Sequence, residues 1–187
     1  EQVLALTFTR KAAREMAQRI SKLLEGSVTG GVHVTTFHGF CLEILRSEGN
    51  KIGIPPEFTL CPETDARSFA QEVLSESGEG KRLTGKFLKA LPCMKAGSVL
   101  GQSEPQVENK LMCLFTKYQT VLRDLGMLDL DDLEVETLRL FRDHPDIACD
   151  YGEKFPWVFV DEYQDTNAIQ VELLKALVRE GKSQICV

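Results

Sequence analysis

"FPWVFVDEYQDTNAIQ", residues 155–170, is the stretch on which the fold turns. Trp157 to Val160 make a short apolar run of the kind that forms a buried strand, and it ends abruptly in two adjacent carboxylates, Asp161 and Glu162. The stretch "NAIQVELLKALVREG" (167–181) then reads as a helix and "QICV" (184–187) as another strand. The same alternation occurs at the other end of the chain. "VLALTFT" (3–9) is strand-like, and in the following "RKAAREMAQRISKLLEG" Ala13, Met16, Ala17, Ile20, Leu23 and Leu24 fall at helical spacing, with Gly26 as a stop. "VHVTTF" (32–37) predicts a second strand and "GFCLEILRSEG" (39–49) a second helix.

After the paired prolines of "GIPPEF" (53–58) the character changes. Residues 59–128 show no strand alternation, only helical fragments at 63–77, 85–97 and 104–126, which predicts an all-helical insertion. "LDLDDLEVETLRLFRDHP" (128–145) is one more amphipathic helix, with Asp129 or Asp131 as its N-cap. The order predicts an α/β fold whose parallel sheet is covered on both faces, with 1–50 and 129–187 forming a discontinuous core and 51–128 a helical insertion. Such sheets take their ligands at the carboxyl ends of the strands, where Asp161 and Glu162 fall.

A chain of 187 residues, 43% hydrophobic and 27% charged, has room for such a core and its insertion. No apolar run approaches the ~20 residues a membrane span needs, and the N-terminus lacks a signal-peptide plan, so an intracellular, cytoplasmic protein is expected. The six cysteines contain no C-x-x-C pair, which argues for reduced, mostly buried thiols and against a structural metal. The net charge of −6 is unevenly spread: residues 1–51 carry +2, 52–150 carry −6 and 151–187 carry −2. A polyanion would therefore be met by the N-terminal third.

A carboxylate pair ending a strand suits an enzyme that holds Mg²⁺ beside a phosphate. Asp161 is placed to hold the cation's water shell, since Mg²⁺ takes only one or two carboxylates, and Glu162 to orient or deprotonate an attacking water. The pair alone also fits a solvated turn. The longer string "VFVDEYQDTNAIQ" resembles the Walker B segment, motif II, of the superfamily 1 helicases related to UvrD, Rep and PcrA, whose D-E-[FY]-Q-D-T-N is highly specific. "LALTFTRKAAREMAQRI" (4–20) resembles motif Ia of that family, "TTFHGFCLEILR" (35–46) its motif Ib, and "LDLDDL" (128–133) the D-F-D-D-L stretch that returns the chain to the core.

The resemblance implies a RecA-like motor core, incomplete, with the helical insertion called 1B. It implies ATP and Mg²⁺ as cofactors, and single-stranded DNA and DNA junctions as partners. Asp161, Glu162 and Gln164 become the catalytic candidates, Gln164 as a coupling residue and Asp165 as a helix N-cap or a member of a polar network. Phe8 would stack a base. Thr7, Thr9 and Arg10, and Thr36 with His38, would contact the strand. Arg10 stands where many relatives have Asn.

The phosphate cradle G-x-x-x-x-G-K-[ST] is absent from these 187 residues. The resemblance therefore implies an excised piece of a 3′-to-5′ translocase and helicase, nucleoid-associated if bacterial, nearly inert alone and prone to self-associate at the sheet positions left open by the rest of the motor. Three other readings stand beside it: the motor part of a helicase–nuclease, a non-enzymatic single-strand-binding or docking module, and a small metal-dependent hydrolase.

Overall fold

A computed structural model of the protein describes residues 2–24, 31–78, 81–101, 109–178 and 183–187. Strand β1 (Val3–Thr7) leads through helix α1 (Arg10–Leu23) to β2 (Val32–Thr36) and α2 (Phe37–Glu48). Then come β3 (Thr59–Leu60), three helices α3 (Glu63–Glu76), α4 (Lys81–Leu100) and α5 (Asn109–Asp124), and β4 (Met127–Leu128). The chain closes with α6 (Leu130–Asp143), α7 (Pro145–Lys154), β5 (Trp157–Val160), α8 (Ala168–Leu177) and β6 (Gln184–Cys186).

Strands β2, β1, β5 and β6 lie in that order in one parallel sheet. Leu4 pairs with Val158 and Leu6 with Val160, so these four side chains share one face. They are buried in a single apolar cluster with Phe37, Phe40 and Ile44 of α2, Leu138 and Phe141 of α6, and Leu173 and Leu177 of α8. Each fully buried Leu or Phe there contributes about 1.5–3 kcal/mol. The opposite face differs from the expected two-sided cover. Among the described residues α1 buries none of its side chains, and Trp157 and Phe159 remain 41% and 43% exposed.

Helices α3, α4 and α5 build a second apolar cluster around Phe87, Tyr118 and Leu122. The expectation of no strands in 59–128 is corrected. β3 and β4 pair in parallel, Thr59 with Met127 and Leu60 with Leu128, and clip together the two ends of this helical stretch. A buried charge cluster seats α4 on α6: Lys95, 1% exposed, places its ammonium against Asp129 and 2.7 Å from Asp132, and the Tyr118 hydroxyl donates to Asp129.

Several boundaries move. α2 begins at Phe37 rather than 39, α4 begins at Lys81 and runs through Pro92, and the single helix expected to 145 ends at Asp143. Pro145 then starts the separate helix α7, where its missing N–H costs nothing. Asp129 is the N-cap of α6, in a reciprocal capping box with Asp132. The Gly26 stop, the start at 104–108 and the helix end at 179–181 lie outside the described residues. The expectation of mostly buried thiols is corrected: Cys41 and Cys61 are buried, but Cys149 is half-buried, and Cys93, Cys113 and Cys186 stand on outward-facing positions of their helices and strand.

Candidate functional site

From β1 the chain crosses outward to β2, and from β5 it crosses the opposite way to β6. Right-handed crossovers running in opposite directions put α1 and α8 on opposite faces. The neighbours β1 and β5 therefore flank the topological switch point, the place where open α/β sheets bind ligands. The Asp161 amide donates to the Leu6 carbonyl at 3.0 Å, so the two outgoing segments, 8–10 and 161–165, start side by side.

Beyond β5 the backbone turns sharply. Glu162 adopts φ 53°, ψ 43°, a left-handed conformation that costs a non-glycine residue about 1–2 kcal/mol. Residues Tyr163–Asp165 form a short 3-10 turn, closed by the Asp165 amide donating to the Glu162 carbonyl at 2.9 Å. Asp161 and Glu162 are exposed, and among the described residues no Lys, Arg or His lies within ion-pair distance of either. The Gln164 amide donates to the Glu162 carboxylate and holds it. Asp165 does not cap the next helix; Asn167 does, its side chain accepting from the Gln170 amide at 2.9 Å. Asn suits that extended position, one residue before the first helical turn.

Thr7 departs from its expected role. It is fully buried, and its hydroxyl donates to the Thr9 carbonyl, so it shapes the turn rather than facing a ligand. Thr9 is the N-cap of α1, accepting from the Ala12 amide at 3.0 Å, and Arg10 stands exposed beside it. Phe8 is half-buried, its ring 5.6 Å from that of Phe37 and tilted by 43°. Thr36 caps α2 by accepting from the Gly39 amide, and His38 follows at the start of the helix. A Cβ on Gly39 would meet the Thr35 hydroxyl at 2.5 Å, so this turn is built around glycine. The two helix N-termini and these loops occupy the carboxyl ends of adjacent parallel strands.

One residue central to this arrangement was missed in the sequence. Glu134 of α6 is 3% exposed. It accepts from the Gln170 amide at 2.7 Å and from the Asn167 amide at 2.9 Å, and lies 3.5 Å from His38 Nε2. The available signal was a carboxylate four and seven residues before the buried Leu138 and Phe141, on the apolar stripe of its helix. The Glu134 charge, after burial itself, also pushes the buried Cys41 thiol far upward, which leaves that sulfur unreactive.

The family model for the UvrD/REP helicase N-terminal domain matches residues 1–187. The chain belongs to this helicase family. Among UvrD/REP-like relatives it is 36% identical over 193 residues to an "ATP-dependent DNA helicase PcrA" of Staphylococcus aureus, covering 99% of this chain and 26% of the relative. It is 35% identical over 192 residues to that of Staphylococcus epidermidis, with the same coverage. The chain thus spans about a quarter of the length of the curated relatives it matches. The mixed α/β architecture with a parallel sheet agrees with a RecA-like helicase core fragment. Among the described residues no helix is long and apolar enough to cross a membrane, and no three His, Cys, Asp or Glu side chains group as metal ligands.

Proposed function

We propose that this chain is part of an ATP-dependent 3′-to-5′ DNA helicase and single-strand translocase, with residues 1–50 and 129–187 as motor core and 51–128 as the inserted subdomain. The observation that carries the reading is the placement of the carboxylate loop 161–165 beside the segment 8–10 at the switch point, joined by the Asp161–Leu6 hydrogen bond. The separate apolar cluster within 61–122 supports the division.

Exposed carboxylates that, among the described residues, have no cation beside them and no third ligand grouped with them suit a cation that keeps most of its waters. Asp161 would hold Mg²⁺ through water, and bound ATP supplies the phosphoryl group whose transfer releases the free energy. Glu162 orients the attacking water and takes its proton, and Gln164 fixes the carboxylate for that task. On the DNA side Phe8 offers a stacking face worth about 1–3 kcal/mol per base. The N-terminus of α1, with Thr9 and Arg10, and that of α2, with Thr36 and His38, offer donors to phosphates. DNA junctions and the remaining motor domains are the further partners of this reading.

The test is ATP hydrolysis by the intact parent with and without single-stranded DNA, for wild type, for Glu162→Gln and for this 187-residue chain. DNA should stimulate the parent, and the substitution should lower the rate by about 10² or more, as should the lack of a G-K-[ST] cradle in the short chain. An unstimulated parent, or an unaffected Glu162→Gln, leaves the docking-module reading in its place.

A further inference from the structure

Glu134 stands where three elements meet: His38 at the start of α2, its own helix α6, and the Asn167–Gln170 cap of α8. Burying a carboxylate is costly, and one that served only to fasten helices would be replaceable by an apolar side chain at little loss. Here the two α8 contacts are neutral amides, at 2.7 and 2.9 Å, and the third neighbour is the imidazole of His38, 3.5 Å away, which is 39% exposed and itself open to a ligand. The α8 end is stiff, because Asn167 and Gln170 also bond each other's backbone amides at 2.9 and 3.1 Å. Three residues before Asn167 is Gln164, which grips Glu162.

We propose that Glu134 is a positioning residue that couples occupancy of the strand-facing His38 to the setting of the Glu162 loop. A base edge or phosphate at His38 competes with Glu134 for the imidazole, and the released carboxylate redistributes its hold on Asn167 and Gln170, and so on the turn that carries Glu162. This rests on the helicase reading above, and the two fail in distinguishable ways.

The experiment measures, in the intact parent, the ratio of hydrolysis at saturating oligothymidylate to hydrolysis without DNA. A merely structural role lowers both rates together and leaves the ratio unmoved. Glu134→Gln, which keeps the shape and removes the charge, should lower the ratio at least tenfold, and in a His38→Ala background it should lower it no further. Asn167→Ala, at an exposed position, cuts the same link from the other side and should reproduce the loss even where Glu134→Gln folds poorly. A ratio within threefold of wild type in Glu134→Gln or Asn167→Ala, or an equal further loss in the His38→Ala background, overturns the coupling while the helicase reading stands. A wild-type parent with no DNA stimulation overturns both.

Discussion

Glu162 carries a backbone conformation that its side chain does not favour, since φ 53° suits glycine and, less well, asparagine. Strain of this kind persists where the surroundings over-determine it, and here the strand end, the 3-10 turn and the Gln164 contact do so. The conformation re-aims the second carboxylate of the pair just as the chain leaves the sheet. Substitution should separate the two effects. Glu162→Gly should leave the thermal midpoint of the chain unchanged or slightly raised, because relief of strain offsets the entropy gained by the unfolded chain, while hydrolysis in the parent drops by about 10². Glu162→Val, β-branched, should remove the same activity and also cost about 1–2 kcal/mol of stability, measured by urea unfolding. Equal midpoints for the two variants would show that the left-handed turn stores no strain.

The elements most legible in the sequence are those with a period: β1, β2, β5 and their helices follow the apolar pattern, and the cap of α6 narrows to Asp129 or Asp131, of which the structure uses Asp129. What stayed hidden is set by tertiary contact. Two-residue strands such as β3 and β4 have no periodicity to read, and α7, which buries little beyond Ile147 and Ala148, hid behind a proline that reads equally as a stop. Among the site residues the loops were legible from their motifs, whereas Glu134 reaches partners 33 and 36 residues away that no local pattern links to it. The α4–α6 seat was equally hidden, and it is testable at this scale. Lys95→Met leaves two buried carboxylates without their cation and should cost about 3–5 kcal/mol. Burial lifts Asp132 above its ordinary 3.8, with Lys95 opposing and Asp129 adding to the lift, and burial likewise raises Asp131 and Glu136. A carboxyl more basic in the folded chain than in the unfolded one contributes stability fully below 3.8 and loses it as the pH rises through the raised value. The seat should therefore tighten as the pH falls from neutrality toward that window. Asp132→Asn should flatten this part of the stability–pH curve in chemical denaturation.

At the scale of the whole molecule one face of the sheet is covered throughout, and the other is covered at β1, where Ala5 and Thr7 are buried, but left open over β5. Leu4, Leu6, Val158 and Val160 are covered by helices, whereas Trp157 and Phe159, two apart in β5 on the other face, stay open, as does Cys186, the register partner of Phe159 in the edge strand β6. Open apolar surface and unpaired strand edges favour pairing between copies, and the net charge of −6 is a weak opponent, since it is concentrated in residues 52–150 and screened within about 8 Å at physiological salt. We infer that the 187-residue chain self-associates reversibly through this face, more strongly at high salt. Sedimentation velocity over a range of concentrations should show a rising weight-average mass, and Trp157→Ser with Phe159→Ser should return the chain to monomer, because both rings are partly open on that face. A wild-type chain that stays monomeric at every concentration and salt level would mean that the bare face is tolerated as it stands. Persistence of the oligomer in the double variant would instead place the contact at the edges of β2 or β6, where backbone groups rather than side chains make the pairing.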